Sequence, residues 1–286
     1  MKPVKFITTF SEKGYYVYGQ EWIKTFVEYT KDFPYITASI YINGMDLSKI
    51  SKQDRVNILD FDVEIPEHKQ WLSFFDENTH HNEPVKSLDI KFSYKSFVMI
   101  KNLEITNEGY VVWLDADCIF LSNEFENFPK NLIEDNFIAC QLEKGSEHTE
   151  SGIIIFNTEH PQKQKFYETM KDFYLNVDKI NTFGELYDGY VIRRTINWNE
   201  PELVDLNEGY GIDGIQSDPN CTFLNPEIRK CFLHNIGITG KRKYSEWKTY
   251  KDQDKYFTML QNMSGEQELS LQEKLELISQ AMRGGN

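Results

Sequence analysis

The stretch VVWLDADCIFL, residues 111–121, decides the fold because it combines the apolar run of a buried strand with two carboxylates, Asp115 and Asp117. Burying an ionised carboxylate is costly unless it is paired or bound to a metal. At strand period two, both carboxylates project to the same side, at the strand end where open α/β sheets bind ligands. A divalent metal shared with substrate phosphates would satisfy both charges. We therefore predict half of a metal site here; the alternative is a helix cap or a turn.

Short apolar runs alternate with amphipathic segments on both sides of this stretch, which is the pattern of an α/β domain. The predicted strands are Val4–Thr9, Ile36–Ile42, Arg55–Leu59, Tyr110–Leu114, Phe137–Leu142, Gly152–Asn157 and Lys230–His234. The predicted helices are Gln20–Tyr29, Glu67–Thr79, Asp89–Leu103, Pro161–Leu175 and Leu186–Ile196.

The end of the chain has a different character, charged and poor in core residues from Lys241 onward. A single helical stripe of apolar side chains remains there, formed by Leu271, Leu275, Ile278 and Met282. Such a stripe is suited to packing on the domain or on a partner chain, as in an oligomer. We predict a C-terminal helical extension over residues 246–286.

The composition limits the classes of function. The formal net charge of −14 argues against a general nucleic-acid binder, which neutralises phosphates with Lys and Arg, although one local basic site remains compatible with it. The four cysteines form no C-x-x-C pair, so structural zinc is not expected, and reduced thiols fit a cytoplasmic protein. No apolar run in the sequence reaches the length of a membrane span or a signal peptide.

Two other Asp-x-Asp pairs show that the motif alone is weak. Asp252 and Asp254 lie in a charged segment with no apolar strand before them. Asp60 and Asp62 follow a short apolar run, and the half-polar residues after them suggest an exposed strand end. Asp115 and Asp117 differ because apolar residues flank them closely on both sides.

Two further motifs occur in order after the acid pair: ESGIIIFN, residues 150–157, and FLHNIGITGK, residues 232–241. With the acid pair, they resemble nucleotide-sugar glycosyltransferases of the GT-A fold, particularly the retaining group with glycogenin and the bacterial lipopolysaccharide galactosyl- and glucosyltransferases. The resemblance implies a Rossmann-like α/β domain over residues 1–245, with a mixed, mostly parallel sheet flanked by helices. Its nucleotide-binding half would be residues 1–120 and its acceptor half residues 121–245.

The resemblance also implies a ligand set. Asp115, Asp117 and His234 would bind Mn²⁺ or Mg²⁺, which would hold the diphosphate of a nucleoside-diphosphate sugar, with UDP as the expected nucleotide. Gly237 and Lys241 would approach the diphosphate; Lys241 falls one residue later than is usual in the family, so Lys243 is the alternative. The remaining positions implied are Asp188 and Glu150 near the transferring sugar, Thr8, Thr9 and Tyr18 near base and ribose, and Lys91 and Lys95 near the phosphates or the acid pair.

The implied activity is metal-dependent sugar transfer with retention to a saccharide, a lipid-linked sugar or a protein; the net charge makes DNA a less favoured acceptor. One alternative is an Asp-x-Asp phosphohydrolase of the haloacid-dehalogenase type. It is disfavoured because Cys118 and Ile119 follow the pair, and because the motif lies mid-chain. The other alternative is a non-catalytic protein that binds nucleotide sugars.

Overall fold

The computed structural model describes residues 1–142, 146–208, 223 and 225–234. The strands are β1 (Val4–Ser11), β2 (Ile36–Asn43), β3 (Val56–Asp60), β4 (Tyr110–Leu114), β5 (Cys118–Phe120), β6 (Ile138–Leu142), β7 (Thr149–Asn157), β8 (Leu203–Asp205) and β9 (Phe232–His234). The α-helices are α1 (Glu12–Gly14), α2 (Gln20–Thr30), α3 (Phe61–Glu64), α4 (Pro66–Asn78), α5 (Glu83–Ile105), α6 (Lys130–Ile133), α7 (Lys163–Leu175), α8 (Val177–Thr182), α9 (Asp188–Asn199) and α10 (Pro226–Cys231). The predicted C-terminal extension lies outside the described residues.

Seven strands form one mixed sheet in the order β3-β2-β1-β4-β7-β6-β8. Strands β3, β2, β1 and β4 are parallel, β7 runs antiparallel to both of its neighbours, and β8 is parallel to β6. The predicted fold class, a mixed and mostly parallel sheet flanked by helices, is confirmed. Strands β5 and β9 form a separate antiparallel pair.

Apolar side chains pack on both faces of the large sheet, because successive residues of a strand point to opposite sides. Phe6 of β1 belongs to the core cluster that contains Trp22 and Phe26 of α2. Its neighbour Ile7 belongs to the second cluster, which contains Phe97 of α5 and side chains of α7 and α9. The carboxyl ends of β1, β2 and β4 therefore lie at the edge of the sheet, between these two packed layers. The candidate site lies at this edge.

The structure corrects one expectation about the acidic motifs. Asp115 and Asp117 do not continue the strand: β4 ends at Leu114, as predicted, residues 115–117 turn, and β5 follows. Backbone hydrogen bonds define this turn, with Asp115 N donating to Gly152 O (2.9 Å) and Cys118 N donating to Asp115 O (3.0 Å). Asp60 is the last residue of β3, so the expected strand end is present, and its side chain also caps α3.

The longest described helix, α5, carries alternating polar and apolar residues. Across the residues that the structure describes, helices with the length and apolarity needed to cross a bilayer are absent.

Candidate functional site

Five elements bring polar side chains together at the carboxyl end of β4. The acidic turn supplies Asp115 and Asp117, and β9 supplies His234. The pairing of β5 with β9 sets Cys118 opposite His234, so the imidazole faces the turn. The other contributors are Glu150 and Ser151 of β7, Asp188 at the start of α9, and Lys95 of α5.

His234 is buried against the acidic turn. Its Nε2 atom lies 3.4 Å from Asp117 Oδ1 and 3.7 Å from Asp115 Oδ2. Burial alone would lower the pKa of this imidazole, but the hydrogen bond to Asp117 and the charges of Asp117, Glu150 and Asp115 outweigh it, so the pKa rises to about 9. The Nδ1 atom is buried and has no hydrogen-bond partner within the described part of the chain. The ring stacks on Phe223 at a centroid distance of 5.4 Å.

Lys95 joins the acidic turn to α9. Its Nζ lies 2.6 Å from Asp115 Oδ1 and 2.9 Å from Asp188 Oδ2, and it also donates to the carbonyl of Ser151. These three acceptors match the three hydrogens of an ammonium group. Burial favours a lower pKa for Lys95, but Asp115 and Asp188 overcome this and raise it. Of the two expected positions for Lys95, phosphates or acid pair, the structure places it at the acid pair.

Asp115 has its two oxygens in different surroundings. Oδ1 accepts hydrogen bonds from Lys95 and from Trp113 Nε1, the latter at 2.8 Å. Oδ2 faces His234. A carboxylate oxygen that already accepts two strong hydrogen bonds is a poor metal ligand, so Oδ2 is the oxygen that remains for a cation.

Asp188 is fixed at the first residue of α9. Ser151 Oγ donates to Asp188 Oδ2 at 2.6 Å, and Lys95 contacts the same oxygen. The helix approaches β7 closely at the next residue, because a Cβ on Gly189 would lie 2.6 Å from the backbone oxygen of Thr149. This close approach places the Asp188 carboxylate beside Ser151.

Glu150 completes an excess of negative charge. Its carboxylate accepts a hydrogen bond from Gly152 N at 3.0 Å. Burial raises its pKa, with a further contribution from Asp115, against the opposing effects of His234 and Lys95. Four carboxylates, Asp115, Asp117, Glu150 and Asp188, thus surround one ammonium and one imidazole.

The carboxylate oxygens nearest His234 Nε2 have a spacing close to that of ligands around a divalent cation. Ligand atoms on adjacent positions around a small cation are about 3 Å apart, which the separations of His234 Nε2 from Asp117 Oδ1 (3.4 Å) and Asp115 Oδ2 (3.7 Å) approach. A dication would also offset the excess of carboxylate charge. Carboxylate oxygens suit magnesium and manganese, whereas an imidazole is not a ligand that magnesium prefers.

Cys118 is the residue of this cluster that sequence reasoning missed. Potential ligand atoms of Asp117, Cys118 and His234 all lie within 4.8 Å of one another. Burial, reinforced by Asp117 and Asp115, holds the thiol pKa well above its usual value, so the sulfur stays protonated. Because hard cations prefer oxygen, Cys118 is better suited to the wall of the site than to binding the ion. Its position directly after Asp117 in the sequence could have indicated that it belongs to the cluster.

A cleft of about 380 Å³ opens beside the acidic turn. It follows the ends of three adjacent strands: Ala116 lies after β4, Thr9 and Ser11 lie on β1, and Asn43 ends β2. The cleft therefore occupies the place where open α/β sheets bind ligands. Its lining extends from Ala116 of the acidic turn to Asn43 at the end of β2.

Tyr18, Lys91 and Tyr94 form the walls of this cleft. Burial and then the charges of Asp117 and Asp115 raise the pKa of Tyr18. The Tyr94 ring is held by Phe61 and His68, at centroid distances of 4.8 and 4.3 Å. The expected nucleotide residues Thr9, Tyr18 and Lys91 thus share one cleft.

Thr8 differs from the expectation. It is fully buried, and its hydroxyl has no partner among the described residues. The reason is the alternation of strand side chains, which sends Thr8 and Thr9 to opposite faces. The expected phosphate-contacting residues Gly237, Lys241 and Lys243 lie outside the described residues.

Among known proteins, this chain resembles solved structures but has no match in sequence. No protein-family model matches the chain, and no curated protein matches it in sequence. Mouse xyloside xylosyltransferase 1 is 12% identical, with 71% of this chain and 84% of that chain covered and a TM-score of 0.47. The PaToxG glycosyltransferase is 15% identical, with 99% and 87% covered and a TM-score of 0.40.

The glycosyltransferase GlyE of Streptococcus pneumoniae TIGR4 is 9% identical at a TM-score of 0.46; the match covers 91% of this chain and 62% of GlyE, so this chain spans less than two thirds of its length. These similar structures are glycosyltransferases by their names. At identities of 15% or less and TM-scores below 0.5, the similarity is weak. The activity of this chain is therefore inferred from its own residues.

Proposed function

We propose that this chain is a metal-dependent glycosyltransferase that moves a sugar, with retention, from a nucleoside-diphosphate donor, with UDP as the nucleotide, to an acceptor. The observation that carries the proposal is the convergence of Asp115, Asp117 and His234 at one end of a cleft along the strand ends. A nucleoside diphosphate would lie in this cleft with its phosphates at the acid pair. The acceptor would be a saccharide, a lipid-linked sugar or a protein.

In the proposed reaction, the bond between the anomeric carbon and the diphosphate oxygen breaks, and a bond from that carbon to the acceptor oxygen forms. The nucleoside diphosphate leaves, and the proton of the acceptor hydroxyl passes to the leaving diphosphate or to solvent. Asp115 Oδ2, Asp117 and His234 Nε2 would hold Mn²⁺ or Mg²⁺. When bound, the ion supplies stabilisation of the negative charge that develops on the diphosphate. Lys241 or Lys243 would add positive charge at the same place.

Lys95 acts on two carboxylates of the chain. By contacting Asp115 Oδ1 and Asp188 Oδ2, its ammonium group offsets the charge of both carboxylates and fixes their orientation. Asp188 then has one oxygen bound by Lys95 and Ser151, and its other oxygen remains for hydroxyls of the transferring sugar. Glu150, partly buried near His234, would orient the imidazole and add negative charge for the cation.

The test is a screen of nucleotide-sugar hydrolysis with Mn²⁺, using wild type, Asp117→Asn and Asp54→Asn. Asp54 is an exposed carboxylate outside the site, so its variant controls for loss of charge. We expect turnover by wild type and Asp54→Asn, its loss on addition of a chelator, and its loss in Asp117→Asn. No turnover of any donor, or normal turnover by Asp117→Asn, would contradict the proposal.

The same screen separates the two alternatives. A phosphohydrolase would release inorganic phosphate from simple phosphomonoesters and leave UDP-sugars intact. A non-catalytic nucleotide-sugar-binding protein would bind UDP and Mn²⁺ in calorimetry but show no turnover with any acceptor.

A further inference from the structure

The motif formed by Asp60 and Asp62 lies next to the cleft and stabilises local structure. Asp60 caps α3 by accepting hydrogen bonds from the backbone nitrogens of Asp62 (2.9 Å) and Val63 (3.2 Å). Asp62 instead holds a side chain of the neighbouring strand: Asn43 Nδ2 donates to both of its oxygens, at 3.3 and 3.2 Å.

This contact sets the orientation of the Asn43 amide. A carboxylate accepts hydrogen bonds and does not donate them, so the NH₂ group of Asn43 must face Asp62. The carbonyl oxygen of Asn43 is then the atom available to a ligand in the cleft that Asn43 lines. A flip of the amide would set that carbonyl against a carboxylate, which is electrostatically unfavourable.

The position of Asn43 corresponds to the base of a nucleotide. The register pairs Ser11 of β1 with Asn43 of β2, and β4 lies on the other side of β1. Because Trp113 and Ser39 both pair with Ile7, Asn43 lies two strand spacings across the sheet from Leu114 and three residues further along it, about 14 Å away. With the diphosphate at the acid pair after β4, the base is the part of the nucleotide farthest from the phosphates and reaches the end of β2.

The charge of Asp62 also acts on the wall of this part of the cleft. Burial and then Asp62 raise the pKa of Tyr94, whose ring lines the cleft. Asn43, Asp62 and Tyr94 thus form one group of side chains around the end of β2.

We propose that Asn43 reads the nucleotide base, accepting a hydrogen bond from N3–H of uracil, and that Asp62 fixes the amide in the accepting orientation. The inference rests on the proposed function, because it requires a nucleoside diphosphate in the cleft. Asn43 is thereby a specificity-determining residue, and Asp62 is the positioning residue behind it.

The proposed contact discriminates uracil from cytosine. Uracil carries a hydrogen at N3, whereas cytosine carries a lone pair there. The Asn43 carbonyl oxygen would repel the N3 lone pair of cytosine, and the hydrogen bond made to uracil would be lost. A site that hydrogen-bonds its ligand strongly rejects an analogue that cannot make that bond. Without Asp62, the Asn43 amide could flip and donate to cytosine.

The experiment measures the dissociation constants of UDP, CDP and N3-methyl-UDP by calorimetry in the presence of Mn²⁺. The proteins are wild type, Asp62→Asn, Asn43→Leu and the control Asp54→Asn. We expect wild type and Asp54→Asn to prefer UDP over CDP by about tenfold or more. N3-methyl-UDP should bind more weakly than UDP.

In Asp62→Asn, the new amide can donate as well as accept, so Asn43 is free to flip and the UDP-to-CDP ratio should fall toward one. Asn43→Leu should lose the preference as well. Equal binding of UDP and CDP by wild type, methylation without effect, or an unchanged ratio in Asp62→Asn would overturn the inference alone. Absence of nucleotide binding by wild type would overturn the proposed function together with it.

Discussion

The side-chain nitrogen of Lys95 lies 2.6 Å from Oδ1 of Asp115, and the lysine is 7% exposed. The same nitrogen contacts Asp188, so one buried cation links the acidic turn after β4 to the start of α9. Removing the partner of a buried charge costs far more free energy of unfolding than removing the partner of an exposed charge. The stability of the site and its chemistry therefore depend on the same contact.

Replacement of Lys95 by Met should destabilise the protein by about 3–5 kcal/mol, because the buried Asp188 and the partly buried Asp115 would lose their cation. Urea unfolding measures the change. Lys91→Met is the matched control: Lys91 lies one turn earlier on α5 and is exposed, so its loss should change the free energy of unfolding by about 0.5 kcal/mol or less. Equal effects of the two substitutions would show that the ion pairs of Lys95 do not contribute to the free energy of unfolding.

Gly152→Ala should displace His234, since a Cβ on Gly152 would lie 2.6 Å from Cε1 and 2.7 Å from Nδ1 of that ring. Overpacking of this kind costs about 1–3 kcal/mol. The cause can be isolated with a double-mutant cycle in urea: in the His234→Ala background, the ring is absent and the penalty of Gly152→Ala should largely disappear. The same penalty in both backgrounds would rule out the clash as its origin.

Gly189→Ala should also destabilise the protein, although helix propensity alone would favour alanine. Alanine is favoured over glycine inside a helix by about 1 kcal/mol, but here its Cβ would lie 2.6 Å from the backbone oxygen of Thr149. No side-chain rotation relieves a contact with backbone, so α9 must move away from β7 and take Asp188 with it.

The control for Gly189 is Gly184→Ala, where an added Cβ meets no atom within 4 Å. Thermal unfolding of both variants should show a lower midpoint for Gly189→Ala only. If Gly189→Ala were as stable as wild type, the close packing of α9 on β7 would not be needed to place Asp188.

His68 should make the stability depend on pH on the acid side. Burial lowers the pKa of His68 to about 4 from its usual 6.5. As the pH falls from 6.5 toward 4, the unfolded chain binds a proton that the folded protein excludes, so the free energy of unfolding decreases, by up to about 3 kcal/mol. Above pH 6.5 the residue has no such effect.

This prediction is checked by urea unfolding at several pH values for wild type, His68→Gln and His80→Gln. Wild type and the variant of the exposed His80 should lose stability steeply between pH 6.5 and 4, and His68→Gln should lose less. Parallel pH profiles for all three proteins would contradict it. Because His68 packs on Tyr94, its protonation would also disturb a wall of the cleft.

Much of the fold follows from local sequence patterns. The predicted strand Tyr110–Leu114 has the observed bounds, and the predicted Ile36–Ile42 is one residue shorter than the observed strand. Both strands were predicted because their apolar runs are continuous and have the length of a strand. Of the three-residue strands, β5 and β8 were not predicted, and β9 covers only the end of the predicted Lys230–His234, because Lys230 and Cys231 belong to α10. Three residues carry too little periodicity to fix the bounds of a strand.

The sequence by itself determined the alternation of strands and helices and the placement of Asp115 and Asp117 at the end of a buried strand, because hydrophobic periodicity and charge are local properties. Only the tertiary structure decided which groups meet them. The β5–β9 pairing brings His234 to the turn, and α5 directs Lys95 at Asp115 while Lys91 reaches the cleft. The β2–β3 neighbourhood joins Asn43 to Asp62. Such contacts depend on strand order, register and helix packing, which no short stretch of sequence encodes.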